Sequence, residues 1–364
     1  MLLADPNSSH TIKWARGLAE QNISIFIFGL GKYNESLYNS YPNISVYSLG
    51  ADKTIINNKK LAVKLLYLKA LPELLKKIKE FKPEIIHAHY ATSYGLLGAL
   101  SKFHPFIISV WGSDVFDFPK KNIINKKILQ FNLRKADLVL STSNAMAKEI
   151  NNYIEKDIII TPFGVNTNIF KPFEVYSLFD KNEIVIGTIK ALEKHYGIEY
   201  LIKVFKILKE KYNDLPIKLL IVGSGSLEKE LKRLTVDLKI DTHTIFTGKV
   251  DYFDVPKYHN MVTIPVFLSV SESFGVSVIE ASACGKPVIV SNVGGLPELV
   301  EDGVTGYIVE SENIMQTALR IEQLIFDSNL IKKMGMAGRE RVINLYNWDD
   351  NLLRMINIYK QVLS

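Results

Sequence analysis

Short β-branched runs alternate with longer amphipathic ones along the whole chain. Residues 23–28, 84–87, 106–110, 137–141 and 158–161 read as strands. Between them, apolar positions recur at helical spacing over 10–21, 61–81 and 122–135. The rhythm restarts with strand-like runs at 184–187, 218–222, 244–247 and 287–291, separated by helical patterns at 198–211, 227–238 and 276–283. Strands this apolar, alternating with helices, predict parallel sheets covered on both faces. Two such series predict an α/β chain of two Rossmann-like, doubly wound domains. The pattern goes quiet after Lys171-Pro172-Phe173 until Asn182, which places the expected division at 1–172, 173–345 and a last helix over 346–364. Ligands of such sheets bind outside the carboxyl ends of the strands, so the two domains are expected to face each other across a cleft.

Composition narrows the setting. At 364 residues, with 47% hydrophobic and 23% charged, the chain suits two ordinary cores rather than disorder. Cys284 is the only cysteine, so no disulfide framework exists and a reducing, cytoplasmic setting is expected. The first residues lack the basic and apolar regions of a signal peptide, and no run of ~18 apolar residues predicts a membrane span. The net charge of +6 is uneven. Residues 1–180 hold 22 Lys and Arg against 15 Asp and Glu, a net +7, and the remainder holds 22 against 23. A basic first half suggests an anionic partner. Nucleic acid is not expected, because zinc spacing, basic heptads and an aromatic RNA-binding strand are all missing from the sequence. The basic residues concentrate at Lys59, Lys60, Lys64, Lys69, Lys76, Lys77, Lys79 and Lys82, and again at Lys120, Lys121, Lys126, Lys127, Arg134 and Lys135. These stretches read either as solvated faces or as a surface that docks on anionic membrane.

The stretch Ser271-Glu272-Ser273-Phe274-Gly275-Val276-Ser277-Val278-Ile279-Glu280-Ala281 carries the most chemistry. Two glutamates stand eight positions apart, the first in a loop and the second inside a helix opening near Gly275. Gly275 would let a ligand approach the backbone, and the first-turn N–H groups favour anionic or hydroxyl oxygens. Glu280 can accept two hydrogen bonds from a vicinal diol such as ribose, and Glu272 can do the same for a sugar ring.

The run 272–310 closely resembles the donor-site segment of the retaining glycosyltransferases of family 4. Its pieces are Glu-x7-Glu, Ala-x-Ala-x-Gly-x-Pro-Val, Gly-Gly-x-Pro-Glu and a Gly-x-x-Gly turn, in order and spacing. Thr161-Pro162-Phe163-Gly164-Val165-Asn166 with Phe170-Lys171-Pro172 resembles the family's interdomain turn. Ile221-Val222-Gly223-Ser224-Gly225 resembles its Gly-x-Gly loop, and Phe246-Thr247-Gly248-Lys249-Val250 the segment that edges the base. Asn347-Trp348 and the helix after it resemble the element that crosses back to the first domain. The resemblance implies a GT-B fold, retention of anomeric configuration and a nucleotide-sugar donor. It places Glu280 on the ribose, Glu272, Ser273 and the backbone of Phe274, Gly275 and Val276 on the donor sugar, and Gly223, Gly225 and Val250 around the nucleotide.

The leaving group needs cations. Gly187-Thr188-Ile189-Lys190-Ala191-Leu192-Glu193-Lys194-His195-Tyr196-Gly197 resembles a family sub-pattern in which Lys190 replaces an arginine and His195 stands where a second lysine is usual. Lys190 and Lys194 are therefore the expected phosphate ligands. With no Asp-x-Asp pattern, no metal and no cofactor are expected, and ammonium groups must stabilise the departing diphosphate. In the first half, the resemblance makes His89 the catalytic-site histidine, while His87 reads as a core residue. Asp114 at a strand tip and His10 in the opening loop are the acceptor-side candidates. The expected activity is transfer of a hexose or N-acetylhexosamine, with retention, to a saccharide acceptor carried on lipid, in surface polysaccharide or glycan assembly. A nucleotide-sugar epimerase or hydrolase of the same fold and a non-catalytic nucleotide-sugar sensor remain as alternatives.

Overall fold

The structure is a computed structural model and describes residues 1–52 and 61–364. Lys59 and Lys60 of the first basic stretch lie outside the described residues. The chain forms two compact units, one of Met1–Pro162 with Asp350–Ser364 and one of Phe163–Asp349.

The first unit is built on a seven-stranded sheet of order β3-β2-β1-β4-β5-β6-β7, every pair parallel. Its strands are β1 (Leu2–Leu3), β2 (Ile25–Gly31), β3 (Ile44–Ala51), β4 (Ile86–His89), β5 (Phe106–Val110), β6 (Leu138–Ser141) and β7 (Ile158–Ile160). The five residues of β5 are all buried, which is why that strand reads as an apolar run broken only by Ser109. Helices such as Ser9–Glu20, Leu61–Phe81, Ser93–Ser101 and Ile123–Lys135 connect the strands.

The second unit has a six-stranded parallel sheet of order β10-β9-β8-β11-β12-β13. Its strands are β8 (Ile184–Ile189), β9 (Ile217–Val222), β10 (Thr244–Gly248), β11 (Ile264–Phe267), β12 (Val288–Ser291) and β13 (Gly306–Val309). Leu219, Ile221, Ile264 and Ile289 from three of these strands meet Leu201, Phe205 and Ile321 from the covering helices in one core.

The contact division differs from the expected one at both ends. Residues 163–172 group with the second unit because Val165 donates to the Tyr346 carbonyl at 2.8 Å and accepts from Trp348 at 3.0 Å. Phe170, fully buried, packs its ring on Tyr252 and His259. A quiet hydrophobic pattern marks a connector, not the place where contacts change. The last helix, Trp348–Leu363, groups with the first unit from Asp350 onward. There Tyr359 is hydrogen-bonded to His87 at 2.7 Å, and Met355 and Ile358 are buried.

Among the described residues no helix is long and apolar enough to cross a membrane.

Candidate active site

In the second unit β8 and β11 lie side by side, yet the chain leaves β8 toward β9 and leaves β11 toward β12. Such a switch in direction opens a crevice at the carboxyl ends of the two strands. Lys190 directly follows β8, and Glu272 lies in the loop after β11. Their side chains meet, Nζ to Oε2 at 2.5 Å, with only 13% and 11% of each exposed. The Lys190 ammonium also sits 4.3 Å from the centre of the Tyr196 ring, so a carboxylate and an aromatic face hold it. The His195 carbonyl accepts from the N–H of Val270 at 2.8 Å, tying the loop after β8 to the loop after β11.

Close backbone approaches fix these loops. A Cβ on Gly223 (φ +135°) would lie 1.9 Å from the Lys190 carbonyl oxygen, and one on Gly225 would lie 2.4 Å from that of Leu192. Leu192 donates to the Ser224 carbonyl at 3.0 Å, and Leu227 to that of Leu192 at 3.0 Å. Gly223 and Gly225 are thus required for seating the loop that carries Lys190, before any nucleotide is considered. Gly294 (φ +51°) does the same for Glu272, whose carbonyl oxygen stands 1.8 Å from where a Cβ would be. Sequence reading gave Gly294 no role, although the Gly-Gly-x-Pro-Glu pattern contains it. Gly275 was expected to admit a ligand. Its φ of +107° and the Leu296 side chain, 2.5 Å from a hypothetical Cβ, give the glycine a packing reason as well.

The remaining expected donor residues differ in what they can offer. Phe274 is buried, edge-on to Phe163 and Tyr346 at 5.7 and 5.9 Å, so only its backbone is left for a ligand. The Val250 side chain packs on the core formed by Val185, Ile189 and Val222. Ser273 and Val276 are partly exposed at the start of the helix Val276–Ala283. Glu280, on that helix, is buried, and no hydrogen bond to its carboxylate is found among the described residues. Its lone pairs are thus not taken up by other side chains or backbone groups among the described residues. Lys194 stands in a short turn, exposed, with no ion pair among the described residues.

The first unit has the same kind of switch point between β1 and β4. His10 lies in the first turn of the helix after β1, His89 ends β4, and Trp111 follows β5. Trp111 holds them together, with ring centres 5.4 Å from His10 and 4.6 Å from His89. Burial, with Lys13 adding to it, pushes His10 down to about 4. Burial, with His10 adding to it, pushes His89 down to about 3. Both rings are neutral at neutral pH, and the buried Nδ1 of His89 has no hydrogen-bond partner among the described residues. His87 is the satisfied core histidine, bonded to Tyr359 at 2.7 Å and Ser109 at 2.8 Å.

Asp114 is the other expected acceptor-side residue. It is fully buried, and its carboxylate accepts from the N–H groups of Ala91 and Gly112, each at 2.8 Å, and from that of Trp111. Burial raises its pKa to about 6 against these bonds. Asp114 clamps the loop that follows His89 to the one that carries Trp111. Tyr90, next to His89, was missed: its φ of +98° is costly for a side chain of this size, and its hydroxyl bonds Ser113. No sequence signal marks that strain.

Among the described residues no three His, Cys, Asp or Glu side chains gather closely enough to hold a metal ion.

The family described as glycosyl transferases group 1 matches residues 172–341, and the family described as glycosyl transferase 4-like matches residues 1–143. The chain is 28% identical over 308 residues to N-acetyl-alpha-D-glucosaminyl L-malate synthase of Bacillus anthracis, covering 77% of this chain and 75% of that protein. It is 30% identical over 203 residues to a GDP-mannose-dependent alpha-(1-6)-phosphatidylinositol monomannoside mannosyltransferase of Mycolicibacterium smegmatis, covering 51% of this chain and 52% of that one. The structure superposes on Anabaena HepE, solved in complex with UDP and glucose, with a TM-score of 0.79 at 17% identity, over 99% of this chain and 98% of that one. The two family matches together span most of the chain and both parallel-sheet units: the chain belongs to the group 1 glycosyltransferases and has their GT-B fold.

Proposed function

We infer that the protein transfers a hexose or N-acetylhexosamine, with retention and without a metal, from a nucleotide-sugar donor to a saccharide acceptor carried on lipid. The observation that carries this reading is the Lys190–Glu272 pair at the switch point of the second sheet. A half-sequestered ammonium is suited to a departing diphosphate, because a charge stabiliser in a poorly hydrated site is worth far more than in water. When phosphate takes Lys190, Glu272 is released to accept hydroxyls of the sugar ring. Glu280, with unsatisfied lone pairs, then takes the ribose. HepE, bound to UDP and glucose, supports a nucleotide-sugar donor.

The lipid-borne acceptor is supported by one surface of the first unit. Around the helix Ile123–Lys135, Ile123 and Ile124 are 64% and 66% exposed, beside exposed Lys120, Lys121, Lys127, Arg134 and Lys135. Apolar tips within a lysine field suit the cytoplasmic face of an anionic bilayer. The phosphatidylinositol monomannoside named for the mycobacterial relative is an acceptor of that class.

The test is thermal denaturation of purified protein with UDP-, GDP- and ADP-sugars, because a ligand of the native state raises the melting temperature. The stabilising donor is then incubated with EDTA and lipid-linked acceptors, and the anomeric configuration of the product is read by NMR. An inverted product, or donor breakdown with equal rate when no acceptor is present, would overturn the reading.

A further inference from the structure

His259, in the helix Val255–Met261, is fully buried, and neither of its ring nitrogens has a hydrogen-bond partner among the described residues. A buried imidazole without partners is costly unless something is arranged for it to meet. Its Nε2 lies 3.5 Å from Oε2 of Glu280, and no other cationic side chain or histidine comes within 4 Å of that carboxylate among the described residues. The ring is confined on another side by Phe170, whose centre is 6.0 Å away. Phe170 also packs on Tyr252, whose hydroxyl is raised to about 12 by burial and by the Glu280 charge. Glu280 therefore stands against His259, which is itself backed by Phe170, with a small part of the glutamate side chain exposed.

We propose that His259 is a positioning residue for Glu280, fixing one carboxylate oxygen from behind so that the other faces the donor's ribose hydroxyls. The idea rests on the ribose role given to Glu280 above. A shift of a few tenths of an ångström brings Nε2–H into bonding range, and a ligand pulling on the carboxylate provides the counter-force that sets its angle. Only a donor group on this exact side of Glu280 can do so, because the ring is locked by its neighbours.

Calorimetry with UDP and GDP, each as the ribonucleotide and as its 2′-deoxy form, tests this. His259→Phe is expected to weaken the better-binding ribonucleotide about tenfold and to leave its deoxy form nearly unchanged, while His259→Gln, which keeps a donor, recovers most of the loss. An equal loss for both forms means that His259 only packs the core, and overturns the proposal. Glu280→Ala is the reference: if it keeps the ribose preference, the ribose reading itself fails. If Glu280→Ala loses the preference and His259→Phe keeps it, only the role of His259 fails. Should His259→Phe not fold, the imidazole 15N signals of His259 decide. They are expected to move in Glu280→Gln, and an unmoved pair of signals overturns the proposal.

Discussion

Behind β1 and β4 the first sheet opens onto His10, His89 and Trp111, while behind β8 and β11 the second opens onto Lys190 and Glu272. Both sheets share one order for their first six strands, with the first and fourth as neighbours. The backbone thus supplies the same crevice twice, and the side chains placed at its rim decide what it can hold. In the first unit burial has stripped the histidines of charge, leaving neutral hydrogen-bonding rings against an aromatic wall. In the second unit the two mostly buried groups are instead paired with each other, Nζ to Oε2 at 2.5 Å. In the function proposed above, the first rim meets a neutral hydroxyl and the second a diphosphate and a polyol.

The comparison breaks most sharply at Lys190. Lys190→Ala is expected to lower kcat by ~100- to 1,000-fold, the usual cost of one preorganised charge stabiliser. The donor KM should change far less, because the contact strengthens as charge develops on the leaving group. Initial-rate kinetics with the donor found by thermal shift measures both. A mutant that loses affinity while keeping kcat would show that Lys190 serves binding and that the second rim has no privileged cation.

Parts of this arrangement were legible in the sequence. The helices at 198–211 and 276–283 and the strand at 106–110 emerge from periodicity with the bounds the structure gives. Four strands do not. β1 is two residues long, β3 is an edge strand with half-exposed alternation, β11 is disguised by Pro265, and β13 opens on a glycine. Lys190 and Glu272 stood out because each sits in a local motif. Gly294 and His259 did not, since their roles arise from partners distant in sequence: Gly294 abuts Glu272 and His259 abuts Glu280. The tie from Asp114 to the loop after β4 was hidden in the same way, because its donor Ala91 lies 23 positions upstream.

The first rim is sharpened by acid. His89 is held near 3 in the folded chain against an ordinary value of 6.5, so below pH 6.5 the unfolded chain binds the extra proton. The stability that His89 contributes is complete above that value and is lost as pH falls. Between pH 6.5 and pH 5 the loss should reach about 2 kcal/mol, at ~1.4 kcal/mol per pH unit. Urea titrations at the two pH values should therefore show a smaller acid penalty in His89→Gln than in wild type. Equal penalties would mean that His89 charges freely in the fold, and the neutral rim would be wrong.

The contrast extends to the outer surface, where the first unit carries the basic, apolar-tipped face. Ile123→Glu with Ile124→Glu should reduce sedimentation with anionic vesicles by at least ~10-fold, since each added carboxylate meets the negative surface and two apolar tips are lost. Neutral vesicles should bind wild type weakly. Equal partitioning of wild type onto both kinds would return the lysines to ordinary solvated roles.

The smallest effect expected is at Lys194, and it separates a paired cation from a solvated one within the same loop. Lys190 is mostly buried, 2.5 Å from its carboxylate, whereas Lys194 four residues later is exposed and has no ion pair among the described residues. An exposed charge acts on a diphosphate through water and counterions, and at 0.15 M salt its reach is about 8 Å. Its benefit should be modest and should fade as salt is added. A buried charge is screened much less. Lys194→Ala is therefore expected to lower kcat/KM by less than ~10-fold at low salt, with the difference from wild type shrinking toward nothing as salt rises. The deficit of Lys190→Ala should persist across the same series. His195→Lys adds a second solvated cation beside Lys194 and should preserve or slightly raise the low-salt rate. Rates for all three variants across a potassium chloride series test the ranking. If Lys194→Ala abolishes turnover while Lys190→Ala stays close to wild type, the leaving-group cation is Lys194, and the Lys190–Glu272 pair is a structural tie between two loops.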